Sequence, residues 1–400
     1  MLIKSLRIQN LLSFGTDAAE QVLDRLNVLI GPNGSGKSNF LEAISLLQAA
    51  PKDLSAPVKE IGGVREWLWK GTPRPTATLE AVVNYPRGKM PLRHTLSFTE
   101  HGQRFELVDE RIENEEPFVG QSDAYFYYRF SRGHPMLNEQ RAGYPQDGGD
   151  APDGQKIRRR NLKRENVSPE QSVLSQVKDP ERYPELAFLD TSYSRIAIFR
   201  DWSFGRYTPP RQEQKADLRN DFLSVTGDNL ALVLSKIRPK ARKRLAEALS
   251  VLYAGIEDFN VQVEAGRVQL FLEEDSYSIP ATRLSDGTLR YLCLLAILCH
   301  PAPPPLICIE EPELGLHPDV MPEIAQLLVE ASERTQLVVT THSDALVDAL
   351  NDHPEFVIVC EKEKGGTILR RLEKKPLEAW LKKYSLGRLW RMGEIGGNRW

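Results

Sequence analysis

The stretch Gly31-Pro32-Asn33-Gly34-Ser35-Gly36-Lys37-Ser38 determines how the rest of the chain is interpreted. It matches the phosphate-loop pattern G-x-x-x-x-G-K-[ST] at every fixed position. The apolar run 26–30 before it predicts a buried strand, and residues 39–44 after it predict a helix. Glycines let backbone N–H groups surround phosphate oxygens, and the helix start adds the positive end of a dipole. We therefore predict a nucleotide site rather than a glycine-rich turn without a ligand.

The residue types in this loop predict a role for each position. Lys37 can reach the β- and γ-phosphates of ATP, and the Ser38 hydroxyl can ligate Mg²⁺. We therefore expect ATP and Mg²⁺ as cofactors. The predicted nucleotide-binding residues of the loop are Asn33, Gly34, Ser35, Gly36, Lys37, Ser38 and Asn39.

The composition is typical of a globular protein with nearly balanced charge. Of the 400 residues, 41% are hydrophobic and 27% are charged, so the chain can bury a substantial core. The formal net charge of -3 gives no whole-chain argument for binding to nucleic acid or membrane. No run approaches the roughly 20 apolar residues of a transmembrane helix, and the N-terminus alternates like a strand. Four cysteines without paired spacing indicate a reduced, cytoplasmic protein without a cysteine metal site.

Changes of pattern along the chain predict three regions. Residues 1–130 would form an N-terminal lobe with the phosphate loop, residues 131–255 an inserted polar loop and helical subdomain, and residues 256–400 a C-terminal lobe. Alternating apolar residues in the first region predict an antiparallel sheet with one covered face. Apolar strands joined by helices in the third region predict a parallel sheet. The strands expected in the antiparallel sheet are 78–85, 92–98, 104–112 and 124–130.

The middle region contains a basic cluster and a predicted pair of helices. The cluster, Lys156 to Arg164, fits either a nucleic-acid contact or a solvated charged face. Asp228 is a candidate N-cap, and apolar residues at helical spacing follow it in 230–237 and again in 241–252. These two segments predict a helical hairpin.

Two carboxylates and one histidine in the C-terminal region predict hydrolysis. The apolar strand 306–309 ends in Glu310, which would hold the Mg²⁺ shell, and Glu311, which would activate the attacking water. His342 follows the next strand, where its imidazole could meet the γ-phosphate. The predicted catalytic residues are therefore Lys37, Glu311 and His342, and the predicted metal ligands are Ser38 and Glu310.

A second phosphate-binding helix start precedes these carboxylates. Ser285 and Gly287 begin a helix whose hydroxyl, N–H groups and dipole suit a phosphate. The phosphate loop already supplies one such end to a nucleotide. The second end is explained if it covers ATP held by another copy of the chain, which predicts a two-fold homodimer.

Four stretches, in this order, are similar to the motifs of the RecF/SMC-like branch of ABC-type ATPases: the phosphate loop, Leu284–Thr288, Ile309–Glu313 and Thr341–Ser343. Within that branch the chain resembles the stand-alone predicted ATPases related to the OLD (overcoming lysogeny defect) proteins. The resemblance implies an α/β fold: an ABC-type ATPase head with a mixed sheet around the phosphate loop, an antiparallel β lobe and an inserted, partly helical subdomain. It also implies dimerisation around ATP, with 314–318 in the place of the D-loop.

The chain departs from the family pattern at two points. Glu310 stands where many members have Asp, and its longer side chain still offers an oxygen to the metal. The glutamine of the Q-loop has no assigned position. Gln121 is one candidate for it.

The resemblance leaves two functions open. The first is an ATP-hydrolysing switch that controls a separate effector, for example a nuclease, in anti-phage defence. The alternative is a RecF-like DNA repair or DNA-binding ATPase, with DNA or RNA as a partner. A nuclease with its own TOPRIM domain is disfavoured because no Asp follows Asp352. A transporter subunit at a membrane is disfavoured by the long insertion and by Leu-Ser-Asp-Gly-Thr at 284–288. The tail 389–400, with two tryptophans, would dock a partner or fold back on its own head.

Overall fold

The computed structural model describes residues 1–17, 19–131, 134–139, 158–161, 168–253, 255–275 and 277–397. Within these residues the strands are β1 (Ile3–Gln9), β2 (Glu20–Val22), β3 (Leu26–Ile30), β4 (Ala77–Val83), β5 (Leu92–His101), β6 (Arg104–Asn114), β7 (Phe126–Ser131), β8 (His134–Glu139), β9 (Arg158–Asn161), β10 (Ala197–Phe199), β11 (Gln214–Lys215), β12 (Ile256–Glu264), β13 (Arg267–Glu274), β14 (Tyr277–Pro280), β15 (Leu306–Glu310), β16 (Gln336–Thr340), β17 (Val357–Glu363) and β18 (Gly366–Arg371). The α-helices are α1 (Lys37–Ala49), α2 (Ala56–Glu60), α3 (Val64–Trp67), α4 (Val173–Gln176), α5 (Pro184–Ser194), α6 (Leu230–Leu252), α7 (Asp286–Leu298), α8 (Met321–Ser332), α9 (Asp344–Asp348), α10 (Lys374–Leu381) and α11 (Leu386–Met392).

The chain divides into two compact units, each made of three segments. The first unit comprises Met1–Asp24, Asn33–Ile196 and Cys360–Arg370, and the second comprises Arg25–Pro32, Ala197–Val359 and Arg371–Trp400. The chain therefore passes from the second unit to the first inside the phosphate loop, between Pro32 and Asn33. The predicted division at residues 130 and 255 stays a prediction.

The first unit is built on an eight-stranded sheet in the order β2-β1-β4-β5-β6-β7-β8-β9, in which neighbouring strands are antiparallel. Apolar residues alternate into its core: Ala77, Leu79 and Ala81 of β4 are buried, and Leu79 pairs with Leu96 of β5. The predicted antiparallel sheet is confirmed. Of the basic cluster 156–164, Arg158–Asn161 forms β9, and the remainder lies outside the described residues.

A buried polar network fixes α4 and α5 to this sheet. Glu110 of β6 lies 3.2 Å from Nε2 of His94 and accepts hydrogen bonds from the Ser172 hydroxyl and, at 2.8 Å, from the backbone N–H of Val173. The other ring nitrogen of His94 lies 3.4 Å from the Tyr193 hydroxyl on α5. All four side chains of the network are fully buried. Because each polar group has a partner, the network ties sheet and helices together.

A mostly parallel sheet carries the phosphate-loop strand, and its strands β10, β15, β16 and β3 belong to the second unit. The six-stranded order is β10-β15-β16-β3-β17-β18, and β10, β15, β16, β3 and β17 pair in parallel. Strands β3 and β16 are buried along their whole length, as expected for apolar strands covered on both faces. The predicted parallel sheet is confirmed. The chain leaves the second unit within β17, after Val359.

Parallel pairing brings the carboxyl ends of neighbouring strands to one edge of the sheet. Phe199 pairs with Ile309, and Glu310 pairs with Thr340. The residues that follow β10, β15 and β16 therefore meet at the edge where ligands bind in open α/β sheets.

A single long helix replaces the predicted helical hairpin. α6 runs without a break from Leu230 to Leu252, with Pro239 inside it. The prediction of two helices was wrong because the buried apolar face continues on both sides of the proline, which itself points to solvent. The N-cap of α6 is Asn229, so the prediction of Asp228 was wrong. The carboxylate of Asp228 instead accepts a hydrogen bond from the Ser224 hydroxyl. Helix α6 packs against an antiparallel sheet in which β13 pairs with β11, β12 and β14.

The described part of the C-terminal tail folds back on the second unit. Helix α11 packs against α9, and a Cβ at Gly387 would lie 2.3 Å from the carbonyl oxygen of Asp344. The indole N–H of buried Trp390 donates a hydrogen bond to the carbonyl of Gly397 at 3.1 Å. Of the two alternatives for the tail, the structure shows the fold-back for residues up to 397.

Candidate functional site

The part of the phosphate loop that lies in the first unit, residues 33–38, has a backbone that only glycine fits at position 36. α1 begins at Lys37, and the N-cap Gly36 has φ +104°. A Cβ at Gly36 would lie 2.2 Å from Oγ1 of Thr367 and 2.7 Å from Oγ of Ser13. The Thr367 hydroxyl donates to the carbonyl of Ser35 at 2.9 Å and contacts the Ser13 hydroxyl at 2.7 Å. Thr367 and Ser13 therefore brace the loop.

The interior of the loop suits a phosphate group. A Cβ built on Gly34, whose φ is +78°, would meet no atom within 4 Å. The Oγ of Ser35 is buried and has no hydrogen-bond partner among the described residues. Lys37 is also buried, and it starts the helix whose first N–H groups lack intrahelical acceptors. An orphan hydroxyl, open space at a glycine and a helix start are the features of a site that accepts an anion.

In the second unit, Glu311 and His342 lie next to each other. Nε2 of His342 is 3.5 Å from Oε1 of Glu311. The backbone of Glu311 has φ +46°, which is uncommon for a residue with a side chain. Three contacts hold it there: its N–H donates to the Thr340 carbonyl at 3.0 Å and approaches the Thr340 hydroxyl at 3.3 Å, and its carbonyl accepts from Nη1 of Arg290 at 3.2 Å. Strain of this kind often marks a functional position.

Arg290 is one of the residues that sequence reasoning missed. It lies on α7, is buried, and its guanidinium stacks 5.5 Å from the ring centre of Trp202 and 5.3 Å from that of Phe204. Burial lowers the pKa of its guanidinium below the ordinary value, and the nearby carboxylates of Glu313 and Glu311 oppose this. Arg290 thus joins α7 to the backbone of Glu311.

Glu313 is a second residue without an assignment from the sequence. Its Oε1 accepts hydrogen bonds from the Thr341 hydroxyl at 2.7 Å and from the backbone N–H groups of His342 at 2.6 Å and Ser343 at 3.2 Å. One carboxylate oxygen therefore fixes the turn that carries His342. The contact joins positions 29 residues apart in sequence, so no local pattern indicates it.

Glu310, the predicted metal ligand, has a cationic neighbour. Its Oε2 lies 3.8 Å from Nε of Arg200, the residue that follows β10. Both side chains are mostly buried, with exposed fractions of 18% for Arg200 and 20% for Glu310.

Ser285 and Gly287 lie at the start of α7, as predicted. The Ser285 hydroxyl caps the helix by accepting a hydrogen bond from the N–H of Thr288 at 3.0 Å. A Cβ at Gly287 would lie 2.3 Å from the carbonyl oxygen of Gly315. The guanidinium of Arg211, which is buried, binds the carbonyl of Leu284 and the carboxylate of Asp286.

Gln121 lies in an exposed turn between β6 and β7 in the first unit, where its N–H donates to the carbonyl of Phe118. The glutamine of the Q-loop stays without an assigned position.

Most of the chain matches the model of a known protein family. The model described as "AAA domain, putative AbiEii toxin, Type IV TA system" matches residues 26–348. The chain belongs to this family. The matched segment of this AAA-domain protein begins at the strand before the phosphate loop and ends after His342. The predicted relationship to RecF/SMC-like ABC-type ATPases is confirmed.

A distant curated relative also carries an ABC-type ATP-binding domain. The phosphate import ATP-binding protein PstB of Malacoplasma penetrans (strain HF-2) is 28% identical over 117 residues. The aligned part is 29% of this AAA-domain protein and 39% of the relative, so the chain spans well under half of that protein's length.

Solved structures show the same fold over nearly the whole chain. The Smc head bound to the C-winged helix domain of ScpA has a TM-score of 0.58 and 14% identity, and the match covers 94% of this chain and 99% of that one. The Smc head with an extended coiled coil, bound to the C-terminal domain of ScpA derived from Pyrococcus furiosus, has a TM-score of 0.56 and 12% identity, with coverages of 95% and 98%. The predicted ABC-type ATPase head is confirmed. Among the described residues, no helix combines the length and the apolar character needed to span a bilayer.

Proposed function

We propose that this AAA-domain protein binds and hydrolyses ATP, and that Glu311 activates the attacking water. The observation that carries the proposal is the fixed position of Glu311 at the carboxyl end of β15. Its strained backbone is held by Thr340 and Arg290, and its carboxylate lies 3.5 Å from His342. A carboxylate held in place can orient a water for attack on a γ-phosphate without reorganising during the reaction.

Two oxygen donors suit a magnesium ion. The Ser38 hydroxyl and the Glu310 carboxylate are hard ligands of the type that Mg²⁺ selects, usually alongside phosphate oxygens and water. The orphan Ser35 hydroxyl and the open space at Gly34 support the proposal that the loop accepts an anion. When bound, Mg²⁺ would neutralise charge on the β- and γ-phosphate oxygens.

The remaining residues position and complete the site. Lys37 would bind the phosphates, and Asn33, Gly34, Ser35, Gly36 and Asn39 would surround them with N–H groups and side chains. His342 would contact the γ-phosphate, and Glu313 would keep its turn in place through the three hydrogen bonds to one oxygen.

We further propose that two copies of the chain close around ATP. Ser285 and Gly287 form a helix start that would cover the γ-phosphate held by the second copy, as the resemblance to ABC-type heads implies. Arg211 keeps this helix start rigid by binding Leu284 and Asp286. Closure on ATP and opening after hydrolysis would make the protein a switch.

The function of the switch would be to control a separate effector protein in defence against phage. The description of the family names a toxin and a TA system, which supports action together with another component. The RecF-like alternative, in which the closed dimer binds DNA, remains as the second outcome of the test. Purification of the trapped dimer with ATP from its native host would yield a stoichiometric second chain under the first function. A nucleic acid without a second chain would support the alternative.

ATP hydrolysis itself is tested with two variants and two controls. Glu311→Gln keeps the shape of the side chain but removes the base, so turnover should fall by about 10²–10⁴ while ATP still binds. Lys37→Ala should abolish ATP binding. Lys52→Ala and Glu333→Gln, both exposed, should behave like the wild type. Unchanged turnover in Glu311→Gln would refute the assignment of the base.

A further inference from the structure

The residue that follows β10 lies beside the predicted metal ligand. β10 pairs in parallel with β15, and Phe199 at the end of β10 is opposite Ile309. Arg200, the first residue after β10, therefore lies at the same edge of the sheet as Glu310, the last residue of β15. Nε of Arg200 lies 3.8 Å from Oε2 of Glu310.

The pair is shielded from water. The exposed fractions of the two side chains are about one fifth each, and the Nε and Nη2 atoms of Arg200 are buried. Attraction between charges at this separation is several times stronger in such a setting than in bulk water. The guanidinium places a positive charge next to Glu310.

A metal ion and Arg200 would therefore compete for the same carboxylate. A divalent cation that binds Glu310 must approach the guanidinium or displace it from Oε2. Phosphate oxygens of a nucleotide would offer the guanidinium other acceptors, because its planar fork matches the geometry of phosphate as well as that of carboxylate. A metal ion without a nucleotide offers the guanidinium no such acceptor.

We propose that Arg200 is a positioning residue that holds Glu310 in the metal-free state and yields it only when metal and nucleotide bind together. The inference rests on the proposed function, since it assigns to Glu310 the role of metal ligand. Arg200 thereby makes metal binding depend on the nucleotide and strengthens the coupling between the two.

The test measures this coupling by binding rather than by turnover. The dissociation constant of a non-hydrolysable ATP analogue is measured by calorimetry with Mg²⁺ and again with EDTA, and the ratio of the two constants gives the metal-linked gain in affinity. In Arg200→Gln the metal can bind Glu310 without the nucleotide, so the ratio should fall about three- to tenfold, the range expected for one partly buried ion pair. Arg200→Lys keeps the charge and should stay within about twofold of the wild type.

The same substitution made in the Glu310→Gln variant separates competition for the Glu310 carboxylate from other effects of removing Arg200. In Glu310→Gln, the additional change Arg200→Gln should alter the ratio by less than about twofold, because the contested carboxylate is absent. An equal or higher ratio in Arg200→Gln than in the wild type would overturn the inference, and so would a fall that persists in full in Glu310→Gln. A lower melting temperature with an unchanged ratio would assign Arg200 a purely structural role, which also overturns it. If the wild type fails to bind the analogue under either condition, the proposed function fails and the inference with it.

Discussion

Oε1 of Glu313 accepts a hydrogen bond from the backbone N–H of His342 at 2.6 Å. Through this contact, the acidic turn after β15 sets the position of the turn after β16. The same oxygen also binds the Thr341 hydroxyl and the N–H of Ser343. The two strand ends that carry Glu311 and His342 are thus connected by one carboxylate, which explains how their side chains come within 3.5 Å of each other.

Loss of the Glu313 carboxylate should reduce turnover without abolishing ATP binding. Glu313→Ala removes the acceptor of three hydrogen bonds that hold the turn carrying His342. Because this turn would shift, we expect kcat to fall by about 10- to 100-fold. Glu313→Gln retains one oxygen and should lie between Ala and the wild type. Steady-state ATPase assays with a nucleotide-binding measurement check this. Wild-type turnover in Glu313→Ala would contradict the positioning role.

A methyl group at Gly36 should prevent the phosphate loop from forming. In Gly36→Ala the new Cβ would collide with Thr367 and Ser13, and the residue would have to keep φ +104°. We expect a stability loss of at least about 1–3 kcal/mol and loss of nucleotide binding. Gly266→Ala is the matched control, since Gly266 has φ +74° but nothing within 4 Å of its Cβ. Its cost should be about 1–2 kcal/mol, with ATP binding retained. Equal ATP affinity in both variants would be incompatible with the geometry of the loop.

Removal of Glu110 should strongly destabilise the first unit. Glu110→Ala leaves His94, the Ser172 hydroxyl and the N–H of Val173 buried without their acceptor. Leaving a buried polar group without its hydrogen-bond partner costs about 1–3 kcal/mol, and here three groups lose their acceptor. Glu106→Ala on the same strand removes a more exposed partner of His101 and should cost less than about 1 kcal/mol. Denaturant unfolding of both variants measures the difference, and similar midpoints would show that the network contributes little.

His300 should make the protein less stable below about pH 6.5. Burial lowers the pKa of its imidazole, and the charge of Lys236 lowers it further. Its Nδ1 accepts a hydrogen bond from the N–H of Ala302 at 3.2 Å, which requires the neutral form. When the pH falls below the ordinary pKa of histidine, the imidazole is protonated in the unfolded chain but stays neutral in the folded one. The free energy of unfolding therefore decreases.

The measurement for His300 is the free energy of unfolding between pH 7.5 and about pH 5. His300→Gln should flatten the decrease relative to the wild type. His101→Gln provides the control, because the side chain of His101 is 85% exposed. A decrease in His300→Gln as steep as that of the wild type would show that other groups account for it.

Local patterns in the sequence were sufficient to predict the strands of the parallel sheet that precede the site motifs, whereas the roles of the site residues stay predictions. The apolar runs of β3, β15 and β16 are long enough to be recognised, and each ends in a motif with its own composition. The single helix α6 was not predicted, because Pro239 indicates a break and the continuous buried face depends on the sheet packed against it.

The residues that support the site could not be predicted from the sequence. Thr367 binds the carbonyl of Ser35 across 332 positions of the chain. Arg200 reaches Glu310 because β10 and β15 are neighbours in the sheet, and Arg290 reaches Glu311 from a different helix. Such contacts depend on strand order and helix packing, which a single sequence does not encode in any local motif.

The mass of the Glu311→Gln variant in solution shows whether two chains close around ATP. Light scattering after size exclusion, with ATP and Mg²⁺ at saturation, should give twice the 45.3 kDa of one chain. Without nucleotide, and with ATP after the additional change Ser285→Arg, it should give a single chain. The mass of a single chain for Glu311→Gln, measured with ATP demonstrably bound, would contradict closure of two chains around ATP.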